Sequence, residues 1–231
     1  MQTDTILFIT EDLGLSRLVA EALGHHGLSL SRESDVGRSL AACAANRYSL
    51  VLVDAVADGV TLPLLVHEVR RRAAVPLIVI SIDRDPANSA SLLDTGADDC
   101  IGRPVDRDDL VARIRAVLRR SRRRLCPTRE AVRVGDMRID PSARTVSVNG
   151  NVVDCTTLEY DIVEYLARHA GTVVSRDQLF AAVCGRDASP LDRAVDVHIS
   201  HLRRKLQPHG QRIVTVRGAG YLLAQPNGPR P

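Results

Sequence analysis

The sequence predicts an α/β protein: a doubly wound, five-stranded parallel sheet followed by a smaller α+β unit. Two patterns carry this expectation. In the first half, short apolar runs alternate strictly with helical patterns. The runs at 49–54 (SLVLVD) and 76–81 (PLIVIS) are continuously apolar at their centres, as strands covered on both faces should be. In the second half the periodicity changes to short alternating segments, three helices and a closing hairpin. A length of 231 residues suits two domains of about 100–150 residues each.

In the first half the strands are expected at 5–10, 28–30, 49–54, 76–81 and 99–102, with helices at 13–25, 34–46, 61–73, 87–95 and 106–120. Repeated strand–helix units imply parallel pairing with helices on both faces. In such sheets ligands bind beyond the carboxyl ends of the strands, near the point where strand order reverses. Around 119–131 the pattern breaks into RRSRRRLCPTREA, where a proline and an arginine run end the last helix. Residues 122–131 therefore read as a linker between domains at 1–121 and 132–226.

The second half opens with alternating segments 132–139, 144–148 and 151–154, with Asn149-Gly150 as a hairpin turn. Three helices follow. The first starts at a capping box, Thr156 with Glu159, and the second at another, Ser175 with Gln178. The third starts at Ser189-Pro190, a cap followed by a first-turn proline, and runs to about Leu206. A last hairpin at 212–224 turns at Gly218-Ala219-Gly220. Sheet, three helices and hairpin together make a winged helix-turn-helix.

Charge separates the two halves. Residues 1–121 hold 14 arginines against 17 acids, and residues 122–231 hold 17 basic residues against 11 acids, so −3 is followed by +6. A basic second half suggests a polyanionic partner. With no Trp and two Phe, both cores must be aliphatic. The cysteines Cys43, Cys100, Cys126, Cys155 and Cys184 are scattered without CxxC spacing, which fits a reducing compartment and small apolar fillers. No apolar run approaches the roughly 20 residues of a membrane span, and the N-terminus lacks a signal-like layout, so the expected location is cytoplasmic, with no membrane partner.

Glu11 and Asp12 follow the first strand and Asp54 ends the third. The strand-end rule brings these carboxylates to one cleft, where they call for a hard divalent cation with oxygen ligands, most plausibly Mg²⁺. An aspartate in such a site can also accept a phosphoryl group. Ser81 ends the fourth strand, and Arg103 follows the fifth with a charge suited to phosphate. The pieces ILFITED, SLVLVD, PLIVIS, GADD (96–99) and Arg103-Pro104 resemble the receiver domain, a flavodoxin-like fold, over nearly all of 4–120. The resemblance implies that Glu11 and Asp12 bind metal together with Asp54 and Val56, that Asp54 is the phosphoacceptor, and that Ser81 is the switch hydroxyl. This sequence departs from the receiver pattern at four places. Arg103 replaces a lysine, Cys100 replaces the switch aromatic, the loop after Asp54 lacks its proline, and Ile82 replaces a small residue. Two readings stand side by side: a receiver switched by phosphate, and a folded receiver that is not.

On the third helix of the second half, 100° per residue puts Val195, Ile199, Leu202 and Leu206 on one buried stripe. Opposite them lie Arg193, Val197, Ser200, His201 and Arg204, the parts of a helix that reads a major groove. Arg203, Lys205 and His198 flank that face and suit phosphates. The stretches TLEYDIVEYLARHAGTVVSRDQL (157–179), LDRAVDVHISHLRRKL (191–206) and TVRGAGYLL (215–223) closely resemble the OmpR/PhoB family of winged-helix regulators over about 132–224. The resemblance implies that Arg217 on the wing reaches the adjacent minor groove. It also implies dimerisation through the last strand and helix of the receiver, whose charged positions match Asp98, Asp99, Asp109, Arg113 and Arg120. Expected partners are double-stranded DNA with tandem half-sites, a cognate histidine kinase, a second copy on activation, and RNA polymerase as a candidate.

The leading reading is thus a two-component transcription regulator controlled by phosphorylation of Asp54. The alternative keeps the DNA binding and makes the receiver a dimerisation or ligand-sensing module that works without phosphate. A phosphate-cleaving enzyme with Asp54 as nucleophile would need a second acid two residues on, and that position is Val56, so no enzyme is expected.

Overall fold

The computed structural model describes residues 4–225 except 46, 56–61, 73–74, 83–84, 123–129 and 186–193, with the backbone alone at 86–88 and 120–122. The chain divides into two compact units, residues 1–121 and 122–231.

The first unit alternates β1 (Thr5–Ile9), α1 (Leu13–Gly24), β2 (Ser29–Glu33), α2 (Val36–Ala44), β3 (Leu50–Asp54), α3 (Leu62–Arg72), β4 (Leu77–Ser81), α4 (Pro86–Asp94), β5 (Asp99–Gly102) and α5 (Arg107–Arg122). The sheet is parallel in the order β2-β1-β3-β4-β5. Every residue of β3 and β4 is buried, as their unbroken apolar runs require of central strands. The core is aliphatic around Phe8, with Ile6, Leu50, Leu52, Ile78 and Ile80 packed against α1 and α5 through Val19, Leu23, Leu110 and Ile114. The strand order reverses between β1 and β3. That reversal opens a crevice at their carboxyl ends, which is where the acidic residues lie.

In the second unit, β6 (Val132–Val134), β7 (Met137–Asp140), β8 (Thr145–Val148) and β9 (Asn151–Val153) form an antiparallel sheet in sequence order. The alternating segment 132–139 is therefore two strands rather than one. Gly135, at φ 66°, and Asp136 turn the chain between them. Asn149-Gly150 makes the expected tight turn, with φ of 51° and 84°. Both signs are those of a type I′ hairpin.

Three helices follow: α6 (Thr157–Arg168), α7 (Arg176–Cys184) and α8 (Ala194–Lys205). Both capping boxes are present and reciprocal, Thr156 with Glu159 and Ser175 with Gln178. The proposed start of α8 at Ser189-Pro190 lies outside the described residues. After a single turn of 3-10 helix (His209–Arg212), β10 (Ile213–Val216) and β11 (Gly220–Leu223) form the closing hairpin. Tyr221 and Val174 exchange backbone hydrogen bonds at 2.8 Å each, tying this hairpin to the segment that leads into α7. Sheet, three helices and wing are the winged-helix arrangement. Among the described residues no helix is long and apolar enough to cross a membrane.

Candidate functional site

β1 runs out into Thr10-Glu11-Asp12, and β3 ends on Asp54. Asp12 is the N-cap of α1: its Oδ1 accepts from the Leu15 amide at 2.8 Å, and its Oδ2 accepts from Arg103 Nη1 at 3.2 Å. The Leu15 amide, with help from Arg103, holds the Asp12 carboxyl below its ordinary range. Asp54 is buried. Arg103 Nη2 donates to both of its oxygens at 2.8 Å, and Thr10 Oγ1 donates to Oδ2, also at 2.8 Å. Burial opposes the Arg103 charge, but Asp54 first and Asp12 second outweigh it and raise the guanidinium pKa. Ser81 is buried at the end of β4 and its hydroxyl lies 3.4 Å from the Ile101 carbonyl. Glu11 is exposed beside this cluster in the chain. Val56 lies outside the described residues.

Glu11, Asp12 and Asp54 offer oxygen donors only, the set that a hard cation such as Mg²⁺ takes, so the residues fit one. The same oxygens of Asp12 and Asp54 now accept from Arg103, so a divalent ion there competes with the guanidinium for their lone pairs.

The charged residues near β5 are largely paired within the chain. Asp98 is a correction: its side chain is fully buried, ion-paired to Arg70 and accepting from the Leu77 amide at 2.8 Å, so it is not a surface charge. Arg70 also donates to the Gly96 and Val75 carbonyls, at 2.8 Å each, which anchors α3 under the start of β5. Arg113 of α5 bridges Asp99 and Asp109 at 2.8 Å each, and of these three only Asp109 is substantially exposed. Nothing is described of the Arg120 side chain.

In the second unit, Val195, Ile199, Leu202 and Leu206 are buried as the helical stripe requires. Val197 is half-buried, and Ser200, Arg204 and Lys205 are exposed along α8; Arg217 is exposed at the tip of the wing. Arg193 lies outside the described residues. His198 and His201 are corrections. Both are buried, His198 completely, and both turn toward Glu159 of α6 rather than toward solvent. A wheel computed for one stripe misses them, because α6 covers the flank of α8 as well as its base. Lys205 donates to Glu159 Oε2 at 2.8 Å, and Arg203 holds the wing, donating to the Ile213 carbonyl at 2.8 Å and Thr215 Oγ1 at 2.7 Å. Sequence reasoning also missed Asp196, which accepts from Arg176 at 3.1 Å and from the Tyr221 hydroxyl, joining α7, α8 and β11.

A crevice of acids over a parallel sheet, joined in one chain to a winged helix, defines a response regulator. Residues 6–115 match the response regulator receiver domain and residues 150–223 match the C-terminal domain of transcriptional regulatory proteins. The chain is 34% identical to the response regulator ArlR of Staphylococcus haemolyticus, over 94% of this chain and 98% of that one. It is 32% identical to ArlR of Staphylococcus aureus with the same coverage. Its fold is similar to that of a RitR mutant (TM-score 0.76, 24% identity, 96% of this chain and 99% of that one). It is also similar to that of DrrB, an OmpR/PhoB homologue of Thermotoga maritima (TM-score 0.51, 22% identity, 96% and 100%). The chain belongs to the OmpR/PhoB family of response regulators: it is a two-component, DNA-binding regulator of transcription and not an enzyme.

Proposed function

We infer that this regulator is switched at Asp54, where a histidine kinase places a phosphoryl group on the carboxylate and thereby raises affinity for DNA. The observation that carries the reading is the position of Asp54: a buried carboxylate ending a central strand at the switch point, held between Thr10 and Arg103. Transfer breaks the N–P bond of the kinase's phosphohistidine, releases its imidazole as the leaving group and forms an acyl phosphate on one Asp54 oxygen. Glu11, Asp12, Asp54 and Val56 would hold Mg²⁺, which when bound would supply charge neutralisation for the incoming phosphoryl group. Arg103 then exchanges carboxylate oxygens for phosphate oxygens, and the Ser81 hydroxyl hydrogen-bonds the new group.

The readout is the winged helix. Arg193, Val197, Ser200 and Arg204 enter the major groove, and Arg217 reaches the neighbouring minor groove. Two copies paired through β5 and α5, by way of Asp99, Asp109, Arg113 and Arg120, bind tandem half-sites. The gain comes from effective concentration, because the second domain binds as part of the same assembly. One observation favours a second reading, in which the receiver pairs without phosphate: Arg103 donates to both Asp54 oxygens, so neither is free of a charged partner.

Intact mass after incubation with a small-molecule phosphodonor and Mg²⁺, with Asp54→Asn alongside, decides between them. One added phosphoryl unit on the wild type alone supports the switch. No addition to a folded protein selects the phosphate-independent reading.

A further inference from the structure

Glu159 begins as a local device. As the third residue of α6 it completes the capping box, its Oε2 accepting from the Thr156 amide at 2.7 Å and from Lys205 Nζ at 2.8 Å. Its Oε1 is buried and accepts no hydrogen bond. Two imidazoles of α8, three residues apart and so on neighbouring turns of one flank, face that oxygen. His201 Nδ1 lies 3.6 Å from it and His198 Nδ1 lies 4.0 Å from it. His198 is wholly buried, and neither of its ring nitrogens has a hydrogen-bond partner. A buried imidazole with both nitrogens unbonded is costly, and native structures leave few such groups without a reason.

We propose that Glu159, His198 and His201 form a transition-metal site, with Zn²⁺ the best-suited ion, that clips α6 to the DNA-facing helix α8. One donor atom from each of the three residues lies within 4.8 Å of the other two. Tetrahedral ligation at about 2.0–2.1 Å places donors roughly 3.4 Å apart, so the carboxylate and His201 at 3.6 Å already fit, while His198, at 4.0 Å from the carboxylate, must turn inward, the widest donor separation being no more than 4.8 Å. Two imidazoles and one carboxylate select zinc or a neighbouring late first-row metal over Mg²⁺ or Ca²⁺, which take oxygen. Glu159 is a monodentate ligand through Oε1, while Lys205 and the Thr156 amide fix Oε2 and hold the carboxylate in position. The metal takes an electron pair from each Nδ1 and from the carboxylate, and the imidazoles must be neutral. The site lies in the DNA-binding unit, apart from the acidic pocket of the receiver, and it couples metal availability to the geometry of α8.

The test uses the full chain, freed of metal and titrated with Co²⁺ and then Zn²⁺ in the absence of Mg²⁺. The expected result is one equivalent of Co²⁺ with the visible ligand-field bands of a tetrahedral nitrogen–oxygen site, displaced by Zn²⁺. Zn²⁺ should also raise the melting temperature of the second unit. His201→Asn, at the rim of the cluster, should weaken binding by more than the roughly 10–100-fold that loss of an outer-shell partner costs. Absence of tetrahedral bands from the wild type overturns the proposal, whatever the variant does. So does an undiminished equivalent in a folded His201→Asn, since the metal would then sit elsewhere. A cluster working only as a histidine–glutamate ion pair would bind no cobalt and would overturn the proposal.

Discussion

If Asp54 is the phosphoacceptor proposed above, Arg103 sets how readily it reacts. A lysine at this place would offer a compact ammonium to one carboxylate oxygen, whereas the guanidinium is a planar fork that covers both. Before Asp54 can attack a phosphodonor, one of those charge-assisted hydrogen bonds has to open, at about 1.5 kcal/mol. Arg103→Lys should therefore speed phosphorylation by a small-molecule donor about tenfold. The check is the initial rate of mass gain, and an unchanged or slower rate would show that the fork does not restrain the acceptor. The identity of this cluster was legible in the sequence because strand ends are legible: an apolar run that stops at Asp54 and another that stops before Glu11 leave little freedom in where those acids go. The fates of His198 and His201 were not. Their burial depends on Glu159, 39 and 42 positions earlier, and no periodicity within α8 reports what a second helix lays across its flank.

The wing shows how much an element can depend on one backbone contact. Gly220 opens β11 at φ 140°, and a Cβ built there would lie 2.0 Å from the Val174 carbonyl oxygen. That carbonyl accepts from the Tyr221 amide at 2.8 Å, so the strand cannot move away without losing the bond that seats the hairpin. Gly220→Ala adds both strain and a clash, and should destabilise the second unit by more than about 1 kcal/mol. It should also weaken DNA binding by displacing Arg217. Melting curves and binding isotherms on the same preparation test the pair of effects together; a variant with normal stability and normal affinity would mean that the wing rests on other contacts. At this level most of the architecture could be read in advance, because five strand–helix units and two capping boxes each carry a local signal. The exception, the turn at Gly135-Asp136, hid inside a segment whose alternation continues across it: Val132 and Val134 on β6, then Met137 and Ile139 on β7, supply apolar residues on both sides of the turn.

Taken over the whole chain, the charge is divided so that the acidic half carries the proposed switch and the basic half forms the DNA-binding domain. The excess of +6 over residues 122–231 is not all available to DNA. Arg144 pairs with Asp161 at 2.6 Å, Arg168 with Glu164 at 2.9 Å, Arg176 with Asp196 at 3.1 Å, Arg212 with Asp136 at 3.2 Å and Lys205 with Glu159 at 2.8 Å. These pairs build the domain, and the positive field falls to residues such as Arg204 and Arg217, exposed on the helix and on the wing. Each phosphate neutralised contributes about 0.9 to the slope of log affinity against log salt. Placed in the minor groove as proposed, between the two phosphate backbones, Arg217 offsets about one phosphate charge, so Arg217→Ala should weaken binding nearly uniformly across operator sequences and reduce that slope by about 1. Fluorescence anisotropy on one duplex at several salt concentrations, repeated on a scrambled duplex, measures both quantities. A loss confined to the specific duplex, with the slope unchanged, would instead make Arg217 a reader of base edges. An unchanged affinity on both would remove the wing from the interface and leave α8 to bind alone.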